Sequence, residues 1–363
     1  MDNKNKIYII AEIGVNHNGS MKIAKEMILQ SKKCGADAVK FQTYKTENIC
    51  DNTADKAIYQ KKSSKEKTQF DMLKKYELSY RDFSDLKSYA QKHNIDFLTT
   101  AADTDSLKFI DKKLKLKCIK IGSSDLTNIQ LLLHTGRTKK KVILSTGMSN
   151  IKEIDIALSA LCYGFSKKDN LFDSQHDRFL YCKYTRYLRK NITILHCTTE
   201  YPAPINELNL NVLTTLKERY KTKIGYSDHS CNFITPLLAM GKEISVIEVH
   251  VTKNHSLKGP DHRSSLNFLE FKKYNMNIRD AETILGSSNK VATKSENINK
   301  STVTKNLFFK IDIKKGTIIR DIHIESKRSK TGISSSKYSS IINKIVTKDY
   351  KKDTKINIKH IKQ

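Results

Sequence analysis

The chain has 363 residues, room for one large domain and a small one, since barrels commonly run to about 250 residues as a single unit. Its 66 Lys and Arg against 38 Asp and Glu give a formal net charge of +28, which raises a nucleic-acid reading. The lysines are scattered over every segment, Trp is absent, and neither an RNA-binding aromatic signature nor a helix-turn-helix is recognisable. General compositional bias therefore accounts for the charge, a specific nucleic-acid partner is not expected, and the field favours anionic substrates.

No apolar stretch approaches the roughly 18 residues a membrane span needs. The opening MDNKNKIYIIAEIG has a short apolar run ending in Glu12, so it reads as a first strand and not as a secretory segment; a soluble, cytoplasmic protein is expected. The seven cysteines are odd in number, far apart and without a C-x-x-C pair, which points to reduced thiols and to neither a disulfide framework nor a zinc knuckle.

In chain order, β-branched apolar runs predict strands at Tyr8–Ile13, Ala38–Thr43, Asp96–Thr100, Cys118–Ser123, Lys141–Thr146, Ile192–Cys197, Lys223–Ser227 and Val246–Val251. Each is followed by a helix-compatible stretch such as MKIAKEMILQSKKCG. Eight such units match a (β/α)₈ barrel better than an open doubly wound sheet, and in a barrel the active site gathers at the C-terminal ends of the strands. The charged run SKKDNLFDSQHDRFLYCKYTRYLRKN, before the sixth strand, reads as a peripheral insertion or a helix extension. The barrel is expected over residues 1–290, a polar linker over 291–306 and a small β-rich domain over 307–363, where KKGTII has the form of a tight turn.

The predicted strand ends carry polar residues repeatedly: Glu12 with Asn16 and His17, Lys40 and Gln42, Thr99 and Thr100, Lys120, Ser123, Asp125, Ser145, Thr146, His196, Tyr201, Ser227 to His229, Glu248 and His250. Lys40 and Lys120 interrupt apolar strands, and a buried lysine is costly unless it meets an anion, so with Ser123, Ser145 and Ser227 they are assigned the carboxylate and phosphate of a small substrate. The bland alternative is a pair of lysines snorkelling at strand ends. His229 and His250 close neighbouring strands, where two imidazoles can share a divalent ion, with Glu12 or Glu248 completing or orienting the site; either histidine could equally be structural. Asp125 in GSSD is either a general acid or base facing the cavity or the N-cap of the following helix. Neither a P-loop nor a G-x-G-x-x-G occurs, so a nucleotide cofactor is not indicated.

The segments IAEIGVNHNGS, AVKFQTY, KIGSSDLTN, VILSTGM, LHCTTEYPAP, GYSDHS and VIEVHVTKNHSLKGPDHRSS follow one another as in a known family. Over almost its whole length the chain resembles the sialic acid synthases, among them N-acetylneuraminate, legionaminate and related nonulosonate synthases, and its last region resembles their antifreeze-like domain.

The resemblance implies condensation of phosphoenolpyruvate with an amino-sugar aldehyde, with release of phosphate. By motif, Lys40, Thr100, Lys120, Ser123, Ser145 and Ser227 would hold phosphoenolpyruvate. Asp125, Glu12 and Glu248 would serve catalysis. Gln42, Tyr201, Asp261 and Arg328 would contact the sugar, and His229 and His250 would bind Mn²⁺ or another divalent ion such as Mg²⁺ or Co²⁺. It further implies a domain-swapped homodimer in which Arg328 reaches into the partner's site. The chain has Asp125 where many relatives have Glu, Thr199 where some have Asn, Ala101-Ala102 for a common Pro-Phe and Ser329 for a Pro. Both N-acetylmannosamine and a 2,4-diacetamido-2,4,6-trideoxy hexose stay open as the sugar. The alternatives are a barrel synthase of the Kdo-8-phosphate or heptulosonate-phosphate kind, and a basic nucleic-acid-associated protein on a barrel scaffold.

Overall fold

Strand residues point alternately to opposite faces, so one apolar run can serve two cores at once. In the computed structural model, which describes residues 6–63, 66–166 and 171–362, both cores are present. Eight parallel strands pair in sequence order: β1 (Tyr8–Gly14), β2 (Ala38–Thr43), β3 (Asp96–Ala101), β4 (Cys118–Ile121), β5 (Lys141–Ser145), β6 (Ile192–His196), β7 (Lys223–Asp228) and β8 (Val246–Thr252). β8 also pairs with β1, which closes the sheet into the expected barrel.

The helices that follow these strands are α1 (Met21–Lys33), α2 (Tyr80–Lys92), α3 (Thr104–Lys112), α4 (Ile129–Arg137), α5 (Ile151–Ser166), α6 (Val212–Tyr220), α7 (Thr235–Met240) and α8 (Phe268–Leu285). A two-residue strand, β9 (Leu266–Asn267), pairs parallel beside the end of β8, and Asn267 caps α8 by accepting from Leu269 N and Glu270 N. The eight barrel strands match the expected ones to within two residues at either end. β4 stops at Ile121 because Gly122 leads into a 3₁₀ turn at Ser123–Asp125.

Outward residues such as Ile9, Ala11 and Ile13 join the layer shared with the helices. Inward residues Ile10, Ala38, Leu98, Ile143, Leu195 and Val246 form a separate apolar plug within the barrel, each Ile, Leu or Val side chain contributing about 1.5–3 kcal/mol. Gly225 leaves the room this plug needs: a Cβ there would lie 2.5 Å from Leu195 Cδ2 and 2.6 Å from the Val246 carbonyl oxygen. One step further along the same inward faces, towards the C-terminal ends, stand Glu12, Lys40, Thr100, Lys120, Ser145, Ser227 and Glu248.

The charged run before β6 forms a 3₁₀ turn (Leu180–Tyr184) and a short helix (Thr185–Asn191), with Leu180, Tyr181, Tyr187 and Leu188 buried; its residues 167–170 lie outside those described. Asp155 of α5 ties this cover down. It accepts from Arg219 Nε at 3.1 Å and Nη2 at 2.7 Å, and lies 3.6 Å from Arg178 Nη2.

Chain contacts divide the molecule after Gly286. The second unit begins at Ser287 and holds a helix, α9 (Lys294–Val303), inside the stretch expected as a linker. Thr293 accepts from Glu296 N while the Glu296 side chain accepts from Thr293 N, and this capping box closes the N-terminus of an otherwise polar segment. Two antiparallel pairs follow, β10 (Lys305–Phe309) with β11 (Ile324–Arg328) and β12 (Ile345–Val346) with β13 (Ile361–Lys362). Leu307, Phe309, Ile313, Ile319, Ile341, Val346 and Ile356 form this unit's own small core. Gly316 of KKGTII adopts φ +86°, as a tight turn requires. Among the described residues no helix is long and apolar enough to cross a membrane.

Candidate active site

Strand register decides which polar residues meet. Glu12 of β1 stands beside Lys40 of β2 and His250 of β8, Thr100 of β3 beside Lys120 of β4, and Ser227 of β7 beside Glu248 of β8. Lys40 Nζ lies 2.8 Å from Glu12 Oε2 and 3.7 Å from Glu248 Oε1, and donates to Thr100 Oγ1 at 3.0 Å. Lys120 Nζ lies 3.5 Å from the same Glu248 oxygen and donates to Ser145 Oγ at 2.7 Å. Ser227 Oγ also donates to Glu248 Oε1, at 3.2 Å, and Gln42 Nε2 donates to Glu12 Oε1 at 3.1 Å. Both lysines and both glutamates are at most 4% exposed, which excludes the snorkelling alternative.

Burial sets the charge balance of this group. It raises Glu12 to about 7 despite the opposing pull of Lys40. It acts on Glu248 in the same sense, yet Lys120 and Lys40 outweigh it and hold that carboxyl far below the usual range. Burial lowers Lys120, while Lys40, between two carboxylates, is raised against the same burial. Two ammonium groups are thus held side by side within a closed barrel, each hydrogen-bonded to a strand-end hydroxyl that a phosphate or carboxylate could also use.

His229 and His250 meet edge to face, with ring centroids 5.5 Å apart. The His229 Nδ1–H donates to the Thr198 carbonyl at 2.7 Å, leaving Nε2 with its lone pair; Ser227 Oγ is 3.3 Å from that nitrogen. His250 Nδ1 is buried without a hydrogen bond, 3.8 Å from Asp261 Oδ2. Burial lowers His229 to about 4 and His250 further, so both are neutral, the form in which imidazole binds a metal. Asp261 is raised by burial to about 6. Tyr201 covers the pair, its ring 4.3 Å from His229 and 5.6 Å from His250. Among the described residues no set of three or more His, Cys, Asp or Glu side chains is arranged around one point to hold a metal. Two neutral imidazoles, one with an orphaned buried nitrogen, nevertheless fit a divalent ion whose other positions are left to water and substrate.

Asp125 is not the helix cap. Asn128 caps α4, accepting from Leu131 N at 3.2 Å, and its amide donates to Asp125 Oδ1 at 3.3 Å. Burial raises the Asp125 carboxyl to about 6. Ser123 Oγ accepts from Gly147 N at 3.0 Å and lies 3.2 Å from Cys197 Sγ. Ser123 is thus one of the expected substrate residues, and its partners here are Gly147 of the STGM segment and Cys197. A Cβ on Gly147 would lie 2.1 Å from Thr199 Oγ1 and 2.9 Å from Ser123 Oγ. Gly147→Ala is therefore expected to displace Ser123 and to raise the KM of the anionic substrate at least tenfold, with a fall in Tm of only a few degrees, measured by steady-state kinetics beside thermal denaturation.

Some strand-end residues serve the scaffold instead. Asn16 donates to the Val251 carbonyl and to Ser265 Oγ, both at 2.9 Å, His17 Nδ1 accepts from Gly19 N, and His196 Nε2 bonds the Leu208 carbonyl. Arg328 belongs to the second unit, exposed on β11 opposite Lys305.

Comparison with known proteins decides the family. The model of the NeuB family matches residues 27–290. The chain belongs to the NeuB family. It is 41% identical to the N,N'-diacetyllegionaminic acid synthase of Campylobacter jejuni over 96% of this chain and 98% of that protein. It is 36% identical to the N,N'-diacetyllegionaminic acid synthase of Legionella pneumophila, over 98% of this chain and 94% of that one. Among solved structures it is similar to the N-acetylneuraminic acid synthetase of Leptospira borgpetersenii, crystallised with citrate, with a TM-score of 0.66 and 30% identity over 81% of this chain and 90% of that one. Lys40, Thr100, Lys120, Ser123, Ser145, Ser227, His229, Glu248 and His250 lie within the part that matches the NeuB model, and Glu12 lies before it.

Proposed function

We propose that this NeuB-family chain condenses phosphoenolpyruvate with an amino-sugar aldehyde to form a nonulosonic acid, and that the sugar is a 2,4-diacetamido-2,4,6-trideoxy hexose giving a legionaminate-type product. The observation that carries the reading is the pair of buried ammonium groups sharing Glu248 beside two neutral histidines. The names of the 41%- and 36%-identical relatives favour this sugar over N-acetylmannosamine.

In this reading Lys40 with Thr100 and Lys120 with Ser145 bind the carboxylate and phosphate, and Ser123 and Ser227 complete the cradle. Glu12, Gln42, Tyr201 and Asp261 line the sugar's side. His229 and His250 would hold a divalent ion, Mn²⁺ in the first instance, which would supply Lewis-acid polarisation of the aldehyde. C3 of phosphoenolpyruvate forms the new bond to the aldehyde carbon, whose oxygen takes up a proton to become a hydroxyl; water adds at C2, and phosphate leaves by C–O cleavage as C2 becomes the keto carbon. Asp125 takes the proton of the attacking water, and the lysines hold the departing phosphate. The resemblance further supports a cytoplasmic homodimer in which the second unit is an antifreeze-like domain supplying Arg328 to the partner's site.

Phosphate release from phosphoenolpyruvate with Mn²⁺ tests the reading, with the two candidate sugars offered in parallel. The diacetamido trideoxy hexose is expected to support turnover, which chelator and His250→Ala both abolish. Turnover with N-acetylmannosamine alone would overturn the sugar, and turnover unaffected by chelator would overturn the metal.

A further inference from the structure

Asp228 stands between Ser227 and His229 but takes no part in the group they belong to. Alternation along β7 turns its side chain away from the barrel axis, into the layer between β7 and the outer helices, where it is 1% exposed. Its carboxylate accepts from Ser230 N at 2.9 Å, from Ser230 Oγ at 2.6 Å and from the Tyr274 hydroxyl at 2.9 Å. Tyr274 lies on α8, is itself fully buried, and its hydroxyl has this carboxylate as partner. All three partners are neutral. A carboxylate taken out of water without a cation costs several kcal/mol, and an apolar pair of the same volume would pack this layer more cheaply.

What the arrangement provides is rigidity at one residue. The turn after β7 is gripped behind by Asp228 through Ser230 and Tyr274, and in front by the His229 Nδ1–H to the Thr198 carbonyl. The His229 carbonyl also accepts from Ala203 N at 2.9 Å. Between these anchors the imidazole cannot turn without breaking a buried hydrogen bond, so Nε2 keeps its direction into the mouth.

We propose that the Asp228–Tyr274 pair is a positioning device that fixes His229 for a divalent cation, coupling α8 to the metal-binding turn. The proposal rests on the metal reading above and assigns Tyr274, which lies on an outer helix, a part in cation affinity.

The test is a Mn²⁺ titration of the full-length protein followed by electron paramagnetic resonance of the free ion, which reads binding without turnover. Tyr274→Phe, which removes one oxygen, is expected to weaken Mn²⁺ binding about 10- to 100-fold while kcat at saturating Mn²⁺ stays near that of the parent. Asp228→Asn, which removes the charge at constant size, should do the same and carries the test if Tyr274→Phe fails to fold. Tyr226→Phe is the control, because its hydroxyl is buried on the same strand without a hydrogen-bond partner; its Mn²⁺ affinity should not change. Affinity within twofold of the parent in Tyr274→Phe, or a loss equal to that in Tyr226→Phe, would overturn the proposal and leave the pair a packing feature. A parent protein that binds no Mn²⁺ would overturn the metal reading and this proposal with it.

Discussion

Lys120→Met should lower kcat/KM for phosphoenolpyruvate by about a hundred- to a few-thousandfold and destabilise the protein at the same time. The ammonium group is 3% exposed, donates to Ser145 and lies 3.5 Å from Glu248 Oε1. Removing one partner of a buried charge pair costs about 3–5 kcal/mol of stability, because the other is left uncompensated; loss of a buried charged partner of the bound anion costs its binding about 2–5 kcal/mol more, and each 1.4 kcal/mol is tenfold. Glu248 would keep only Lys40, at 3.7 Å, and the Ser227 hydroxyl.

A second substitution separates the two effects. In Lys120→Met with Glu248→Gln no charge is stranded, so Tm should return most of the way to the parent value, whereas phosphoenolpyruvate turnover should stay depressed. Thermal denaturation and initial rates on the same three proteins decide it. Recovery of turnover together with Tm would mean that Lys120 serves only to neutralise Glu248, and the anion cradle would have to be drawn without it.

The eight strands were legible because each is an apolar run of ordinary strand length, and burial on both faces leaves little else for such runs to be. The lysines were legible for the converse reason: a charge inside an apolar run must be explained, and Lys40 and Lys120 are explained by Glu12 and Glu248. Direction was harder to read. In Ser227-Asp228-His229 three polar residues stand in a row, and only the pleat of β7 shows that the middle one faces outwards to Tyr274, 46 residues later in the chain. Such a pairing has no local signature. Asn128 displaced Asp125 as the cap of α4 because the chain makes a 3₁₀ turn first, a matter of backbone path and not of residue type. The helix at Lys294–Val303 did carry its signal, Thr293 followed three residues later by Glu296, but polar composition made the stretch read as linker.

Asp125→Ala is expected to lower kcat about 10²- to 10⁴-fold, the range for loss of a positioned acid or base, with little change in KM for phosphoenolpyruvate. The parent's pH profile should carry the same residue's mark. Burial raises its carboxyl from 3.8 to about 6, and the base form is the deprotonated one, so kcat/KM for the sugar should fall tenfold per unit as pH drops below about 6. The ionisation of phosphoenolpyruvate is common to both proteins, so the difference between the parent and Asp125→Ala profiles isolates the residue.

Stability should run the other way. The folded state holds the Asp125 proton more tightly than the unfolded chain does, so this group's contribution is fully present below about pH 3.8 and is lost as pH rises through 6. Asp125→Asn removes that titration, and the variant should gain Tm relative to the parent between pH 4 and 7 even as its activity is lost. Parallel changes in Tm and rate would identify Asp125 as a residue of the scaffold; opposite changes would mark a carboxylate kept for chemistry at a cost to the fold.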